Sequence, residues 1–564
     1  MKQKDFISLL VFSFFSMSIF SQTYEWGGRF GGIGEAVVKK MHVDDEGASY
    51  TTGYFTDTAD FDISADEQIL TSNGFYDLFV QKTNAQGDLM WAVSVGSPFF
   101  DYGTGITADD QGNVYITGYF DETTDFDPGP DEFMLVAQGG GDIFILKLNS
   151  DGEFVWAKTV GGTGYEESTS IGVDELGNVY VLGYLYDTVD LDPGFNDFFI
   201  GSQGAADVFL LVLDSDGNFS NGYSYGGVDQ DLALEMTVKS STEIFLSGFF
   251  EGTADLDPRL FEDYLVTATE GAAGYTMQID QTGMITNIAN TEGGNVTVYT
   301  VEADAENNMY IAGIFDGTVN FDPTSGNSDY TFTSALAYNS FILKVAPNGT
   351  VAWARQLDSE DSNFIFDMKI GSDGHVYSTG FFAGTLDFDP STGGEFLLTK
   401  ESISSTDAFM VALDSDGLFV NAYQFGGVDF IDTHQIGLDS VDNIYLSAQF
   451  DLTVDINPLP NETEEVTALD FRDSYLVKMN REVLAINDFE SSSIVLFPNP
   501  VADDLFVFGL DTMIEGTYTI HNMIGQKIIE GVIDSSRKIA VSSLDSGVYI
   551  LNLPNNKSLK FIKS

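Results

Sequence analysis

Residues Gly112 to Pro128 read GNVYITGYFDETTDFDP. Gly177 to Pro193 repeat the pattern as GNVYVLGYLYDTVDLDP, and Gly374 to Pro390 as GHVYSTGFFAGTLDFDP. Weaker copies run from Gly47 to Asp62, Thr242 to Pro258, Asn307 to Pro323 and Asp442 to Pro458. The aromatic anchors of the seven copies are Tyr50, Tyr115, Tyr180, Phe245, Tyr310, Tyr377 and Tyr445, spaced by 65, 65, 65, 65, 67 and 68 residues. A fixed period of this size is the mark of a repeat architecture.

Each unit reads as four strands. In the third copy these are Ser170 to Val173, Asn178 to Leu185, Asp207 to Leu213 and Phe219 to Tyr225. The turns between them, DELGN, DSDGN and GGVD, put Gly where a hairpin needs positive φ. No amphipathic helical pattern of ten or more residues occurs in the repeats. Four antiparallel strands repeated seven times predict an all-β, seven-bladed β-propeller, which hides most sheet edges by radial closure. The extra length between second and third strands, as in Glu132 to Ala137, predicts an additional strand. Trp26, Trp91, Trp156 and Trp353 each precede an anchor by 24 residues. The segment around Trp26 thus reads as a fourth strand without a blade of its own. Its natural place is the outer edge of the last blade, with Glu482 to Ile486 as a competitor.

The chain has 564 residues, 87 acidic and 23 basic, for a net charge of −64. Residues 1–22 carry +1 and residues 490–564 carry −2, so residues 23–489 hold −63. Such a surface repels nucleic acid and anionic lipid. At 43% apolar and 13% aromatic, the chain has ample material for a core. The absence of Cys excludes disulfides, thiolate metal sites and a Cys nucleophile. Lys2 and Lys4, the apolar run from Phe6 to Phe20 and the small Ser21 make residues 1–22 an expected secretory signal. No other stretch has the length of apolar residues a membrane helix needs.

The GNVYxxGYFxxTxDFDP units, followed by DIFILKLNSDG and WAKTVGG, resemble the bacterial β-propeller repeats called SBBP repeats. The resemblance covers residues 23–489 and implies a fold and an exported setting, with no shared catalytic residues. Residues 490–564 break the period. Their landmarks are LFPNPVADDLFV, GTYTIHNMIGQKIIEG and IAVSSLDSGVYILNL. These resemble the C-terminal sorting domain of the type IX secretion system of Bacteroidota. That implies a small β-sandwich whose partner is the secretion machinery, and a mature chain that is released or surface-attached after passing through the periplasm.

The candidate site residues are the acidic pairs that close each second strand: Asp60/Asp62, Asp125/Asp127, Asp190/Asp192, Asp255/Asp257, Asn320/Asp322, Asp387/Asp389 and Asp455/Asn457. A spacing of two puts both side chains on one face of an extended chain, with the apolar residue between them on the other. Two readings stand. The carboxylates form a ring that accepts a hard cation such as Ca²⁺, or they are solvated while the apolar residue packs the blade. The NSDG and DSDG turns lack the later ligands of an EF-hand and read as hairpins. SDGEFVW at Ser150 to Trp156 departs from a sialidase Asp-box in its Asp-to-Gly spacing, and Arg29, Arg259, Arg355 and Arg472 do not recur with the repeat. His375 reads as a turn residue, while His42, His434 and His521 sit in unrelated contexts. No HExxH or GxSxG occurs.

These observations favour an exported, acidic, non-catalytic binding or adhesion module that recognises a glycan or protein on a loop-lined face. That face is expected to be the one carrying the Gly-Gly links and DFDP excursions. The rival readings are a polysaccharide lyase or glycosidase on the same scaffold, and a purely structural surface protein.

Overall fold

The computed structural model describes residues 20–259, 264–323, 330–391, 394–401, 406–429, 431–460 and 462–483, then 495–497, 501, 504–508, 516–522, 527–533, 537–544, 547–553 and 558–563. The chain divides into two compact units, Gln22–Arg481, and Glu482–Ser564 together with Met1–Ser21. Residues 1–19 of the expected signal segment lie outside the described residues. Within that segment a strand begins at Phe20, and Gln22 is buried in the first unit.

Among the described residues the strand pairings of the first unit fall into seven groups of four strands, several of them joined by short link strands into larger sheets. Their inner strands are Ala36–Val43, Tyr102–Ala108, Glu166–Val173, Asp231–Ser240, Asn295–Ala303, Asn363–Ile370 and Ile431–Leu438, which define blades 1 to 7. Each inner strand packs against the next, and that of blade 7 packs against that of blade 1, so the ring is closed. The strand Phe20–Ile33 lies beside Glu465–Val483 as the outer strand of blade 7. Of the competing strand, Glu482 and Val483 end the third strand Glu465–Val483, and residues 484–486 lie outside the described residues. The additional strand of blade 2 is Met134–Val136, paired with Thr123–Asp125.

The third strand of blade 3, Asp207–Leu213, is buried at every position. A middle strand covered on both faces by neighbouring blades needs a continuous apolar run rather than alternation. The outer strand Phe219–Gly227 is open over its first three residues and mostly buried beyond them, because only part of it is covered. The core is shared between neighbours: Tyr180, Leu182, Leu210 and Tyr225 of blade 3 pack with Met236, Ile244, Leu246 and Phe250 of blade 4. Each large apolar side chain removed from water contributes about 1.5–3 kcal/mol.

The repeated Gly of the GYF motif has a specific cause. Every inner strand is bulged against the second strand near this glycine, between Val38 and Lys40 in blade 1 and between Ser168 and Ser170 in blade 3, for example. The bulge leans a backbone carbonyl over the second strand. A Cβ on Gly53 or Gly183 would strike the carbonyl oxygen of Val37 or Glu167. Blade 7 has Ala448 at this position, and there the pairing shifts so that Ala448 faces His434, the residue after the bulge.

The inner strand of blade 3 starts at Glu166, four residues before the apolar stretch that signals it in the sequence. Glu166 and Ser168 are buried polar residues, so hydropathy does not reveal them.

The second unit contains a three-stranded sheet (495–497, 504–508, 538–540) and a four-stranded sheet (516–522, 527–533, 547–552, 558–563). They enclose one core that includes Leu505, Val507, Ile520, Ile533, Leu551 and Phe561.

Candidate functional site at the two ends of the propeller axis

The acidic pairs act as staples. Asp190 Oδ1 accepts from the backbone N–H of Asp192 at 3.1 Å and of Phe198 at 2.8 Å, while Asp192 Oδ1 accepts from Gly194 N–H at 2.8 Å. In blade 1, Asp60 accepts from Asp62 and Gln68 N–H, and Asp62 from Ser64 N–H at 2.8 Å. In blade 2, Asp125 accepts from Asp127 and Phe133 N–H, and Asp127 Oδ1 from Gly129 N–H at 2.8 Å. Blade 6 repeats this, with Asp387 holding Asp389 and Phe396 N–H, and Asp389 Oδ1 accepting from Ser391 N–H at 2.9 Å. In blade 4, Asp255 accepts from Asp257 N–H, and Asp257 also takes Arg259 Nε at 2.8 Å. In blade 7 Asp455 accepts from Asn457 and Glu464, and in blade 5 Asn320 performs the same task for Asp322 N–H. The residue between each pair, such as Phe61, Leu191 or Phe388, is fully buried.

These are the carboxylates read from the sequence as a ring on one face of the disc. Among the described residues no group of three or more His, Cys, Asp or Glu side chains converges to hold a metal ion. Asp127 and Asp389 therefore stand with Asp60, Asp62, Asp125, Asp190, Asp192, Asp255, Asp257, Asp322, Asp387 and Asp455 outside any such group. The physical reason is local: in Asp127 and Asp389 one carboxylate oxygen is taken by the N–H two residues further on, which turns the side chain back on its own loop.

The other candidates are dispersed. The arginines are committed in separate places: Arg29 to Asp473, Arg259 to Asp257, Arg355 to the carbonyls of Gly417 and Asp416, Arg472 to Asp451. His375 lies 2.7 Å from the Asp373 carboxylate of its own turn. His521 Nδ1 is 3.0 Å from Asn552 Nδ2 in the second unit. The DSDG turns are closed internally, with Asp214 Oδ1 accepting from Asp216 and Asn218 N–H and Gly217 at φ 75°.

One concavity lies on the propeller axis. A cavity of about 470 Å³ is lined by the later halves of inner strands from all seven blades and by the turns that follow them, including Asp45, Ser372 and Asp442. It therefore sits toward the turn face, opposite the face of the Gly-Gly links. Lys40 of blade 1 crosses it to pair with Glu235 of blade 4, whose Oε1 also accepts from Ser170 Oγ at 3.0 Å. Lys369 pairs with Glu302. Burial opposes the lysine's charge, but Glu302 and Asp367 outweigh it and hold Lys369 protonated. Asp367 accepts from the N–H of Met368 and, across to blade 7, of Ile436 at 3.0 Å. His42 is pushed down to about 4, first by burial and then by the Lys369 charge. The cavity's charges are thus spent on one another.

The link face is different in kind. The second-strand residues Tyr54, Tyr119, Tyr184, Phe249 and Phe381 occupy the same register in blades 1, 2, 3, 4 and 6, near the end of the strand that leads to the DFDP excursion. Tyr54 stacks on Tyr76 at 4.2 Å, Tyr76 meets Phe100 edge-on at 5.2 Å, and Tyr102 stacks on Tyr119 at 5.2 Å. In blade 3, Tyr165 and Tyr184 both donate to Glu167 Oε2, at 2.7 and 2.5 Å. Phe75, Phe99, Phe100 and Tyr165 are exposed. A second cluster, Phe364, Phe366 and Phe381 with Tyr299, spans blades 5 and 6. The sequence carries a faint signal for this surface: an aromatic follows the motif glycine in five copies, but only the three-dimensional register joins it to Tyr76, Tyr102 and Tyr165.

Residues 495–564 match the family described as secretion system C-terminal sorting domain. The likeness to the type IX sorting domain is therefore shown, and it supports a secreted or cell-surface protein of Bacteroidota type that engages the secretion machinery through this segment. Residues 96–119 match the family described as beta-propeller repeat, SBBP. The chain is 21% identical over 449 residues to a WD repeat-containing protein of Acanthamoeba polyphaga mimivirus, covering 68% of this chain and 32% of that protein. It spans about a third of the length of that relative. Similar solved structures include a member of the DUF4221 family from Bacteroides vulgatus, with 9% identity, 83% of this chain and 100% of the other covered, and a TM-score of 0.30. Another is a subtype N10 neuraminidase-like protein of A/little yellow-shouldered bat/Guatemala, with 9% identity, 82% and 100% coverage, and a TM-score of 0.27. No helix among the described residues is long and apolar enough to cross a membrane.

Proposed function

We propose that the first unit is a non-catalytic extracellular module that binds a neutral glycan on the aromatic surface of blades 1 to 3. The observation that supports it is the Glu167 carboxylate accepting from Tyr165 and Tyr184 amid half-exposed, stacked aromatics. Aromatic faces pack against the C–H faces of pyranose rings, and a carboxylate with two phenols offers acceptors and donors to their hydroxyls. The net charge of −64 disfavours anionic polysaccharides. Delivery would run through the periplasm, with the sorting domain handing the chain to the outer-membrane machinery. The acidic pairs serve this module as turn staples rather than as cation ligands.

Glycan-array binding by the full chain tests the proposal. Tyr165→Ala and Tyr54→Ala should each weaken capture of neutral glycans by about tenfold, the order expected for one stacked ring. Binding that survives both substitutions would overturn it.

A glycosidase reading has one specific point in its favour, because a tyrosine beside a carboxylate can act as a nucleophile in some sialidases. Burial first, and then the hydrogen bond to Glu167, push the Tyr184 phenol well above its ordinary value. Its proton is therefore held, which suits a hydrogen-bond donor and not an attacking oxygen. Turnover of any glycan on the same panel would reverse this preference.

A further inference from the structure

One pair of register positions recurs at the junctions between blades: the third-strand residue opposite the end of the motif's second strand, as Asp77 is opposite Phe55 and Asp207 opposite Leu185, and the residue at or next to the start of the following blade's inner strand. At the junctions of blades 1–2, 2–3 and 3–4 both residues are acids, Asp77 with Asp101, Asp142 with Glu166, and Asp207 with Asp231. All six are 0–2% exposed. Their outer oxygens accept backbone N–H groups: Asp77 from Asn73, Asp142 from Gln138, Asp207 from Gln203, Asp101 from Ser97, Glu166 from Gly162 and Asp231 from Gly227, at 2.6–3.0 Å. Asp77 Oδ1, Asp142 Oδ1, Glu166 Oε2, Asp207 Oδ1 and Asp231 Oδ1 are buried with no hydrogen-bond donor.

The chain contains its own control. At the junction of blades 5 and 6 the same two positions are Asn339 and Asn363, and Asn363 Nδ2 donates to Asn339 Oδ1 at 3.2 Å. The two side chains at this register therefore touch, and one of them must supply a hydrogen. Between blades 4 and 5 the positions are Ala273 and Val296, which need none. Two ionised carboxylates would supply no donor and would repel each other in a dry interface.

We propose that each of the three acidic pairs binds one proton between its facing oxygens, so that protonation locks blades 1 to 4 together and its loss sets like charges against one another. Ca²⁺ or Mg²⁺ would require six or more oxygen ligands; each pair offers two unpartnered oxygens at most. The other groups facing the pairs are Thr124 on Asp101, Thr159 on Asp142, Tyr119 near Glu166, and Asp229 and Tyr275 near Asp231. Burial raises all six carboxyls above their ordinary range, and the facing acid adds to this at Asp77, Glu166 and Asp231. For an acid raised in the fold, the associated stability is complete below the ordinary carboxylate range and is lost as pH rises through the folded value.

The test is a proton count on the full chain. Urea unfolding at pH 6 in weak buffer should release about three more protons from the wild type than from Asp101→Asn/Glu166→Gln/Asp231→Asn. The variant should also melt higher at pH 8 and show a flatter pH profile, a difference that persists at high salt because buried pairs escape screening. The single variant Asp231→Asn should release about one proton fewer than the wild type, and infrared difference spectra between pH 6 and pH 8 should lose one protonated-carboxyl band. These two readouts serve even where the triple variant does not fold. Equal proton release and unchanged infrared bands would overturn the proposal. So would calcium raising the wild-type melting temperature at pH 8 but not that of the variant, since the pairs would then be cation sites.

Discussion

The indole Nε1 of Trp26 donates to the carbonyl of Ala85 at 3.1 Å, and Gly87 of the same turn lies beneath the indole ring. Trp91, Trp156 and Trp353 make the same bond to Ser150, Ser215 and Ser415. In each case the outer strand of one blade is fastened to a turn of the next. Trp26 repeats the contact across the point where the ring closes. Trp26→Ala should lower unfolding free energy by on the order of 2–3 kcal/mol in a chemical denaturation curve. Trp26→Phe, which keeps the ring and loses the bond, should cost about 1 kcal/mol. A Trp26→Ala variant as stable as the wild type would show that closure does not depend on this contact.

The staple role of the acidic pairs separates two substitutions at one position. Asp190→Ala removes the acceptor of two backbone N–H groups and should destabilise by about 1–2 kcal/mol. Asp190→Asn should remain within about 0.5 kcal/mol, because Asn320 already holds the equivalent turn in blade 5. Melting temperature with calcium or with chelator should be the same for all three proteins.

Lys40 and Glu235 form an ion pair that bridges opposite sides of the central cavity. Lys40→Met strands a largely buried carboxylate and should cost about 3 kcal/mol. The double variant Lys40→Met/Glu235→Leu should recover much of this loss. A thermodynamic cycle built on the two single variants measures the coupling, and additive losses would show that the bridge contributes little.

His42 sets a pH effect of its own. Its folded value is depressed to about 4, so the stability tied to its neutral form is full above the ordinary histidine value and is lost as pH falls toward 4. The stability difference His42→Gln minus wild type should therefore rise between pH 6.5 and pH 4. The three carboxyl pairs act in the opposite direction, with folded values of about 6 to 7. NMR titration of the His42 ring should give a value well under the ordinary histidine value if burial is the cause.

Blade architecture is legible in the sequence because its strongest elements, Val179–Leu185 and Asp207–Leu213, are covered on both faces and so appear as unbroken apolar runs. The place of the first strand is legible too, since Trp26 keeps the spacing of the other three tryptophans. The inner strands are harder to read. Residues such as Ser170, Glu235 and Asp367 line the axis and carry polarity that resembles a loop. The DFDP pairs, Asp125 with Asp127 and Asp387 with Asp389, attract attention as chemistry. One oxygen of each is nevertheless occupied by backbone N–H groups that no spacing rule displays. Conversely, the acid that opens a third strand is visible in DLFV, DIFI and DVFL. Its partner across the junction varies between Asp101 and Glu166 and lies outside the repeated motif. The Tyr165–Glu167–Tyr184 contact joins two strands of one blade through a bulged register, which sequence periodicity does not encode.

The outer strand Phe20–Ile33 is made first and paired last. Its partner, Glu465–Val483, emerges roughly 430 residues later, about three doublings beyond the length of one blade, which adds about 2 kcal/mol of loop-closure entropy. Blades 1 to 6 can each form from contiguous chain, but blade 7 must wait with an open edge. Assembly of the ring therefore has a built-in final step, the docking of the oldest segment onto the youngest blade. Its rate should govern how long an incomplete, aggregation-prone edge is exposed.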